Sequence, residues 1–271
     1  MNILVTGASG FIGRRVSSRL KAKGHQVTSL SFDLTKPFSL SDSFDFVIHL
    51  AAYNITNVGS KNEDLYMAVN VEGTRHLLKA VHAKKFIYMS TVKVYKNEGM
   101  GLTEDSPVGP QGAYEQSKLN AEEMCRTLLK KESLVILRSV NVIGWGQAPK
   151  AVLPVFFQKA KAGQPLDIIG SPQALMQFVY VEDLIDAIEA IITHDEAAGI
   201  FNIAHEDPIS LEQLARAIIA LTHSSSVLNV INTGSGTLFS PVICHKVYQQ
   251  LGWKAKTGLM KILEHYYRHL S

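Results

Sequence analysis

Short apolar runs alternate with longer amphipathic stretches along most of the chain, the pattern of strands exchanging with helices. Ile3, Leu4 and Val5 form the first run, continuous enough for a parallel strand buried on both faces. Val16 and Leu20 then carry a helical period, and Gly24 stands where a helix-ending glycine belongs. Val27 to Phe32 and Phe46 to Leu50 read as the next strands. A long helix is predicted from about Glu63 to His82, with Leu65, Val69, Leu77, Leu78 and Val81 giving the period. Phe86 to Met89, Val135 to Leu137 and Gly199 to Ala204 add three strands, and Ile185, Ile188, Ile191 and Ile192 share one side of another helix. From Trp145 the regular alternation lapses. Val152 to Ala162 still reads as a helix closed by Gly163, Leu166 to Ile169 as a short strand, and Leu211 to Leu221 as a helix. Ser210 with Gln213 is a capping box for that helix, Ser224 to Ser226 a flexible connector, and a terminal helix runs to Leu270.

The first strand runs into Gly7, Gly10 and Gly13 at spacings of three and three. A glycine at the strand end can take angles closed to other residues, and one without a side chain lets the main chain approach a pyrophosphate. The third permits close packing of helix on strand. First-turn amides, unpartnered within the helix, would then face the phosphates, where the helix dipole adds attraction. Fold class follows as α/β, a Rossmann-type doubly wound parallel sheet. An acidic residue about twenty positions on is where a dinucleotide's ribose diol is held, and Asp33 sits there by count. If the strand ends earlier, Ser31 takes that place and Arg14 or Arg15 could meet a 2′-phosphate. NAD and NADP both stay open.

Composition narrows the partners. A chain of 271 residues with 46% hydrophobic content can build a sizeable core without staples. The net charge of +3 is small and the lysines and arginines are scattered, so nucleic acid is not expected. No signal peptide is read ahead of the strand at residue 3, and no apolar run reaches bilayer length. Cys125 and Cys244 lie far apart, which fits reduced cytoplasmic thiols, and the Asn54-Ile55-Thr56 sequon is then without consequence. His265 and His269 have metal-ligand spacing, but with no third ligand in view no metal is expected.

Two hydroxyl-bearing sites stand out. Thr91 leaves the end of the strand that starts at Phe86, where a hydroxyl can polarise a substrate oxygen. Tyr114 and Lys118 are one helical turn apart, so phenol and ammonium share a face. A cation there is expected to favour phenolate and lower a pKa that starts near ~10, making Tyr114 an acid/base at neutral pH.

The order of these features, with the glycine turn first, Thr91 next and Tyr114 after it, resembles the short-chain dehydrogenase/reductase superfamily, in particular its extended branch of sugar-nucleotide epimerases, dehydratases and reductases. The resemblance spans nearly the whole chain. His49-Leu50-Ala51-Ala52 looks like the segment passing beside the cofactor, and Asn70-Val71-Glu72-Gly73-Thr74 matches the family's Asn-Val-x-Gly-Thr. Thr103-Glu104-Asp105-Ser106-Pro107 and Arg138-Ser139-Val140-Asn141-Val142-Ile143-Gly144 also have family counterparts, whereas Lys96 stands where the family usually has glycine. By this resemblance Thr91, Tyr114 and Lys118 are catalytic. Gly7, Gly10, Phe11, Ile12, Gly13, Asp33, Leu34, Leu50, Ala51, Ala52, Tyr114 and Lys118 would bind NAD or NADP, and Thr91, Lys93 and Asn141 the substrate. The dinucleotide domain would comprise 1–141 plus 177–205, and a small substrate lobe 142–176 plus 206–271. The helices at 63–82 and 114–130 are those through which relatives pair into homodimers.

The same resemblance sorts the chemistry. Dehydratases carry an Asp-Glu pair directly after the threonine, where this chain has Val92 and Lys93. Decarboxylating relatives have a glutamate, and relatives epimerising carbons 3 and 5 a cysteine, at the position of Lys93. What remains needs only the triad: 4-epimerisation of a sugar carbinol, with a nucleotide sugar as substrate, or reduction of a keto-sugar. Met176 replaces a diphosphate-binding arginine and the chain is short for the family, so a small carbonyl substrate is kept as a further alternative. A catalytically silent nucleotide sensor is disfavoured, since it has no use for an acid/base pair.

Overall fold

The computed structural model describes residues 1–30, 33–54, 63–231 and 239–270. Ser31 and Phe32, and with them the end of the second expected strand, lie outside the described residues, as do Ile55 and Thr56 of the sequon. The chain opens β1 (Asn2–Thr6), α1 (Gly13–Ala22), β2 (Gln26–Leu30), β3 (Ser43–His49). The single helix expected over 63–82 is built in three parts. These are a turn α2 (Glu63–Leu65), a π-helical segment Tyr66–Glu72 and α3 (Gly73–Ala80). β4 (His82–Thr91), α4 (Ala113–Leu128) and β5 (Leu134–Ser139) follow. Then come β6 (Asn141–Ile143), α5 (Val152–Lys161), β7 (Leu166–Ile169), β8 (Leu175–Met176), β9 (Phe178–Tyr180) and α6 (Val181–Thr193). β10 (Gly199–Ile203), β11 (Ile209–Ser210), α7 (Leu211–Leu221), β12 (Leu228–Ile231), α8 (His245–Leu251) and α9 (Leu259–Arg268) complete it.

Six of the strands make one parallel sheet in the order β10-β5-β4-β3-β1-β2, flanked by helices. Its central strands are apolar on both faces: Ile3, Leu4, Val5, Val47 and Ile48 have no solvent exposure. That double burial is why they read as continuous runs rather than alternating ones. The remaining strands pair in twos, β6 with β9, β7 with β12, and β8 with β11. One apolar core runs from the sheet into the C-terminal elements, taking in Val5, Ile87, Phe157, Ile218 and Ile262. The Ser210–Gln213 capping box forms as expected. The serine connector is not slack, because Ser224 Oγ donates to the Ala160 carbonyl at 2.6 Å and accepts the Ser226 amide at 3.1 Å. Among the described residues no helix is long and apolar enough to cross a membrane.

Charge docks the first helix to the sixth. Arg15 and Arg19 both meet Glu182, at 3.3 and 2.8 Å, Arg19 also meets Asp186 at 3.1 Å, and Lys23 meets Glu189 at 3.0 Å. At the open edge of the sheet, the Asn202 amide donates to Glu104 Oε1 at 2.8 Å and the Ile200 carbonyl accepts from Lys246 Nζ at 2.8 Å. The side chains thereby occupy backbone groups that an edge strand would otherwise offer to another chain.

A buried imidazole ties the middle of the sheet to the helix above it. His49 Nδ1 lies 2.6 Å from Thr6 Oγ and Nε2 lies 2.8 Å from Thr74 Oγ. The Thr74 hydroxyl donates to the Asn70 carbonyl at 2.6 Å, so it must accept from Nε2–H, which leaves Nδ1 to accept from Thr6. Thr6 Oγ in turn accepts the Ala51 amide at 3.2 Å. Every polar atom of the ring is satisfied in the neutral form, and burial with Lys118 nearby lowers His49 to about 3. An unfolded His49 takes up a proton below its usual 6.5 while the folded one stays neutral. The stability held by the neutral ring is therefore whole above that pH and is lost as pH falls toward 3, at about 1.4 kcal/mol per pH unit. Urea unfolding at pH 7, 6 and 5 should show this slope, and His49→Gln should lose about one proton's share of it.

Candidate active site

Winding reverses at β1, which has β2 on one side and β3 on the other, and such a switch point opens a crevice outside the strands' carboxyl ends. Gly7 turns there with φ +67°, and a Cβ on it would stand 2.7 Å from the Ala51 amide nitrogen. The turn after β1 and the segment after β3 thus touch backbone to backbone. At Gly13 a Cβ would fall 2.1 Å from the Gly7 carbonyl oxygen, and the Gly10 amide donates to that oxygen at 2.9 Å. Phe11 and Ile12 pack against the core beside the turn, with Leu50 and Ala51 half-buried across it and Ala52 next in line. No acidic side chain occupies the first turn of α1, so the positive end of its dipole is not neutralised. A cradle bare of side chains at a helix start fits a dinucleotide pyrophosphate.

The segment beyond β2 explains a second glycine. Asp33 is exposed and closes an Asx turn, its Oδ1 accepting the Thr35 amide at 3.0 Å and hydroxyl at 2.6 Å, which hold its carboxyl below the usual range. Leu34 is buried, and a Cβ on Gly73 would lie 3.1 Å from Leu34 Cβ. The 70–74 motif is thereby accounted for residue by residue, since Gly73 admits Leu34, Thr74 serves His49, Val71 is core, and Asn70 clamps the crevice segment. Asn70 Oδ1 accepts the Tyr53 amide at 2.7 Å, and Nδ2 donates to the Tyr53 carbonyl at 3.0 Å and to Ser117 Oγ at 2.9 Å. Ser117 Oγ in turn donates to the Tyr114 carbonyl at 2.7 Å. The sequence assigned Asn70 no contact. The π-helical segment that presents it is a wider coil than the apolar spacing foretold, of a kind frequent at functional sites.

Tyr114 and Lys118 stand in the first turns of α4, which lies along β4. Ser90 donates to Glu122 at 2.5 Å, and the Lys118 ammonium is 4.2 Å from the Tyr88 ring centre. Thr91 ends β4, buried, and its Oγ accepts the Lys93 amide at 3.3 Å in the tight turn Val92–Val94. Lys93 reaches Glu115 at 3.8 Å, tying the turn after Thr91 to the residue after Tyr114. The electrostatics differ from expectation. Burial, then Glu115 and Tyr66, push the Tyr114 phenol up to about 12, while burial lowers Lys118 to about 8 against the pull of Glu122. The ammonium is seated on a ring face instead of on the phenol, so it does not depress the tyrosine in the chain by itself.

Other expected contacts are redirected. Arg14 donates to the Gly146 carbonyl at 3.1 Å, and Arg15 donates to the Trp145 carbonyl at 2.5 Å and pairs with Glu182, so both are engaged away from the end of β2. Asn141 is exposed at the start of β6. Met176 pairs with Ile209 between β8 and β11. The buried Gln177 side chain is consumed by the carbonyls of His205, Glu206 and Val242 and by the Val242 amide, the last at 2.6 Å. Neither residue brings charge to the position. Lys96 is tolerated because the glycine lies opposite: a Cβ on Gly109 would be 3.0 Å from Lys96 Cβ.

Residues 3–204 match the model of the NAD dependent epimerase/dehydratase family. The chain belongs to that family. Its relatives include the dTDP-D-glucose 4,6-dehydratase of Mus musculus, 31% identical over 83% of this chain and 68% of that protein. The dTDP-D-glucose 4,6-dehydratase of Dictyostelium discoideum is 28% identical over 81% of this chain. The chain spans only 62% of that protein's length. The fold of the UDP-glucuronic acid 4-epimerase of Bacillus cereus, solved with UDP-glucuronic acid and NAD, superposes over 100% of both chains with a TM-score of 0.87 at 24% identity. Enzymes of this family are NAD(P)-dependent, and the glycine cradle described above suits that cofactor. Gly7→Ala should weaken NAD binding by tenfold or more in calorimetry, because the left-handed angle and the Ala51 contact both resist a Cβ.

Proposed function

We propose that the protein is an NAD-dependent epimerase or oxidoreductase acting on a sugar carbinol, with 4-epimerisation of a nucleotide sugar as the reading the site supports best. The observation that carries it is the placement of Tyr114 and Lys118 one turn apart on α4, along the strand that ends in Thr91, with no acid/base pair after Thr91. Val92 is apolar and Lys93 is a cation ion-paired with Glu115, so the groups that an elimination would need are missing, although the dehydratases are relatives. NAD is favoured over NADP because Arg14 and Arg15 are committed to carbonyls and to Glu182, and Asp33 presents a carboxylate where a 2′-phosphate would be repelled.

Gly7, Gly10, Phe11, Ile12, Gly13, Asp33, Leu34, Leu50, Ala51 and Ala52 would hold the dinucleotide, and its nicotinamide supplies hydride exchange with the carbinol carbon. Tyr114 Oη takes or gives the hydroxyl proton, and Thr91 Oγ hydrogen-bonds the same oxygen. A phenol at about 12 is a poor base at neutral pH, so Lys118 must act on it once the crevice is filled. Lys93 and Asn141 would contact substrate, with residues 142–176 and 206–271 forming its side of the cleft and 1–141 plus 177–205 the cofactor side. The lack of charge at Met176 and Gln177 favours one other reading, a reductase for a keto-sugar or small carbonyl without a diphosphate.

We also propose a cytoplasmic homodimer. Both cysteines are free, and Leu65, Met67 and Leu128 are 42%, 43% and 49% exposed on the segments expected to pair.

Tyr114→Phe should lower turnover by at least about a thousandfold while leaving NAD bound, and wild-type activity in that variant defeats the assignment. Incubation with UDP-sugars separates the readings: an epimerase interconverts them with no net change in nicotinamide absorbance, whereas a reductase consumes the reduced cofactor stoichiometrically. Sedimentation at micromolar concentration should give twice the mass of 29.8 kDa.

A further inference from the structure

Three side chains converge, through four hydrogen bonds, on one buried carboxylate of α4. Glu122 has no solvent exposure and Arg138 only 2%. Arg138 donates from Nε to Oε1 at 3.0 Å and from Nη2 to Oε2 at 2.6 Å, Ser90 Oγ donates to Oε1 at 2.5 Å, and Arg126 Nη2 donates to Oε2 at 2.9 Å. Tyr95 holds Arg138 from the far side, its ring centre 4.5 Å from the guanidinium carbon and its hydroxyl donating to Asn202 Oδ1 at 2.7 Å. A closed ion pair would need nothing more, and as a stability device it gains little over apolar packing.

One turn earlier on the same helix lies Lys118, 2% exposed. Around it stand Tyr114, Glu122 and Cys125 on α4, Tyr88 on β4 and His49 on β3, with Arg138 of β5 and Arg126 of α4 both bonded to Glu122. Tyr88 offers a ring face, and its buried hydroxyl has no partner among the described residues. His49 is held neutral by Thr6 and Thr74. Cys125 and Tyr114 are both pushed up to about 12 by burial, so neither is an anion at neutral pH. Of these facing groups, Glu122 alone can be one.

We propose that Glu122 is a positioning residue of the active site that acts through Lys118: its carboxylate is the counter-charge keeping the buried ammonium in its charged form one turn from Tyr114, while Arg138 and Ser90 fix where that charge stands. Lys118 sits near 8 even with Glu122 raising it against burial. Without the carboxylate the balance at Lys118 shifts toward the neutral amine, and Tyr114 loses the cation one turn away on its own helix.

The inference rests on the proposed roles of Lys118 and Tyr114, but its first readout does not. In protein labelled with carbon-13 at the lysine ε position, NMR titration follows Lys118, its signal identified by loss in Lys118→Met. Glu122→Gln should lower the midpoint by about one unit or more, whereas Glu122→Asp, which disturbs the geometry but keeps the charge, should leave it within a few tenths. An unchanged midpoint in Glu122→Gln overturns the proposal. Should that variant not fold because Arg138 is stranded, Glu122→Gln/Arg138→Met is read against Arg138→Met, which lacks the same cation and keeps the carboxylate: a midpoint lower by about one unit in the double variant bears the proposal out, and an equal one overturns it. The second readout is NAD affinity by calorimetry. Glu122→Gln should bind about tenfold more weakly at pH 8 and recover toward pH 6, where the lysine regains its proton. An equal loss at both pH values would mark a purely structural role and overturn the proposal. Failure of the wild-type chain to bind NAD would count against the cofactor site and leave the titration standing.

Discussion

Everything in the site depends on how closely two stretches of main chain can approach each other at the switch point. The turn at Gly7 lies against the Ala51 amide with no space for a single added carbon, and Gly13 in turn lies on the Gly7 carbonyl. Thr6, the residue before that turn, reaches His49 and the Ala51 amide, and Thr74 reaches His49 from above. The sheet, the glycine turn and the helix that carries Asn70 are consequently set in one frame by contacts that admit only small or neutral groups. Polar satisfaction replaces bulk as the organising force here, because an unpaired buried donor would cost more than the packing returns.

The fold was largely legible, for a physical reason. Central strands buried on both faces leave continuous apolar runs such as Ile3 to Val5, and helices packed on one face leave a period such as Ile185, Ile188, Ile191 and Ile192. The glycine turn was legible because close backbone approach tolerates no substitute. The π-helical stretch at Tyr66–Glu72 was not, since its side chains still fall on an apolar face and only the hydrogen-bond pattern changes.

Candidate residues such as Tyr114, Lys118 and Thr91 stand out by type and spacing, but their environment lies outside any local pattern. That Tyr114 and Lys118 share a helix face follows from their separation of one turn. That the ammonium is seated on Tyr88 and that burial raises the phenol depend on side chains from other strands, which no local pattern reports. Arg14 and Arg15 illustrate the same limit: their helix position is evident, but the loop at Trp145 and Gly146 that occupies them is remote in sequence. Nothing local to Gln177 marks it, and its role as a stitch between Val242 and His205 emerges only when the three segments are adjacent.

That stitch has a bearing on what residues 176 and 177 could offer a ligand. An anion gripped by a guanidinium is held less firmly as ionic strength rises, since mobile ions compete for both partners. A ligand lying against residues 176 and 177 meets a thioether and an amide whose polar atoms are already engaged, so its hold there comes from shape and apolar contact. Recognition of that kind escapes the screening that loosens an ion pair, and excluded salts strengthen it.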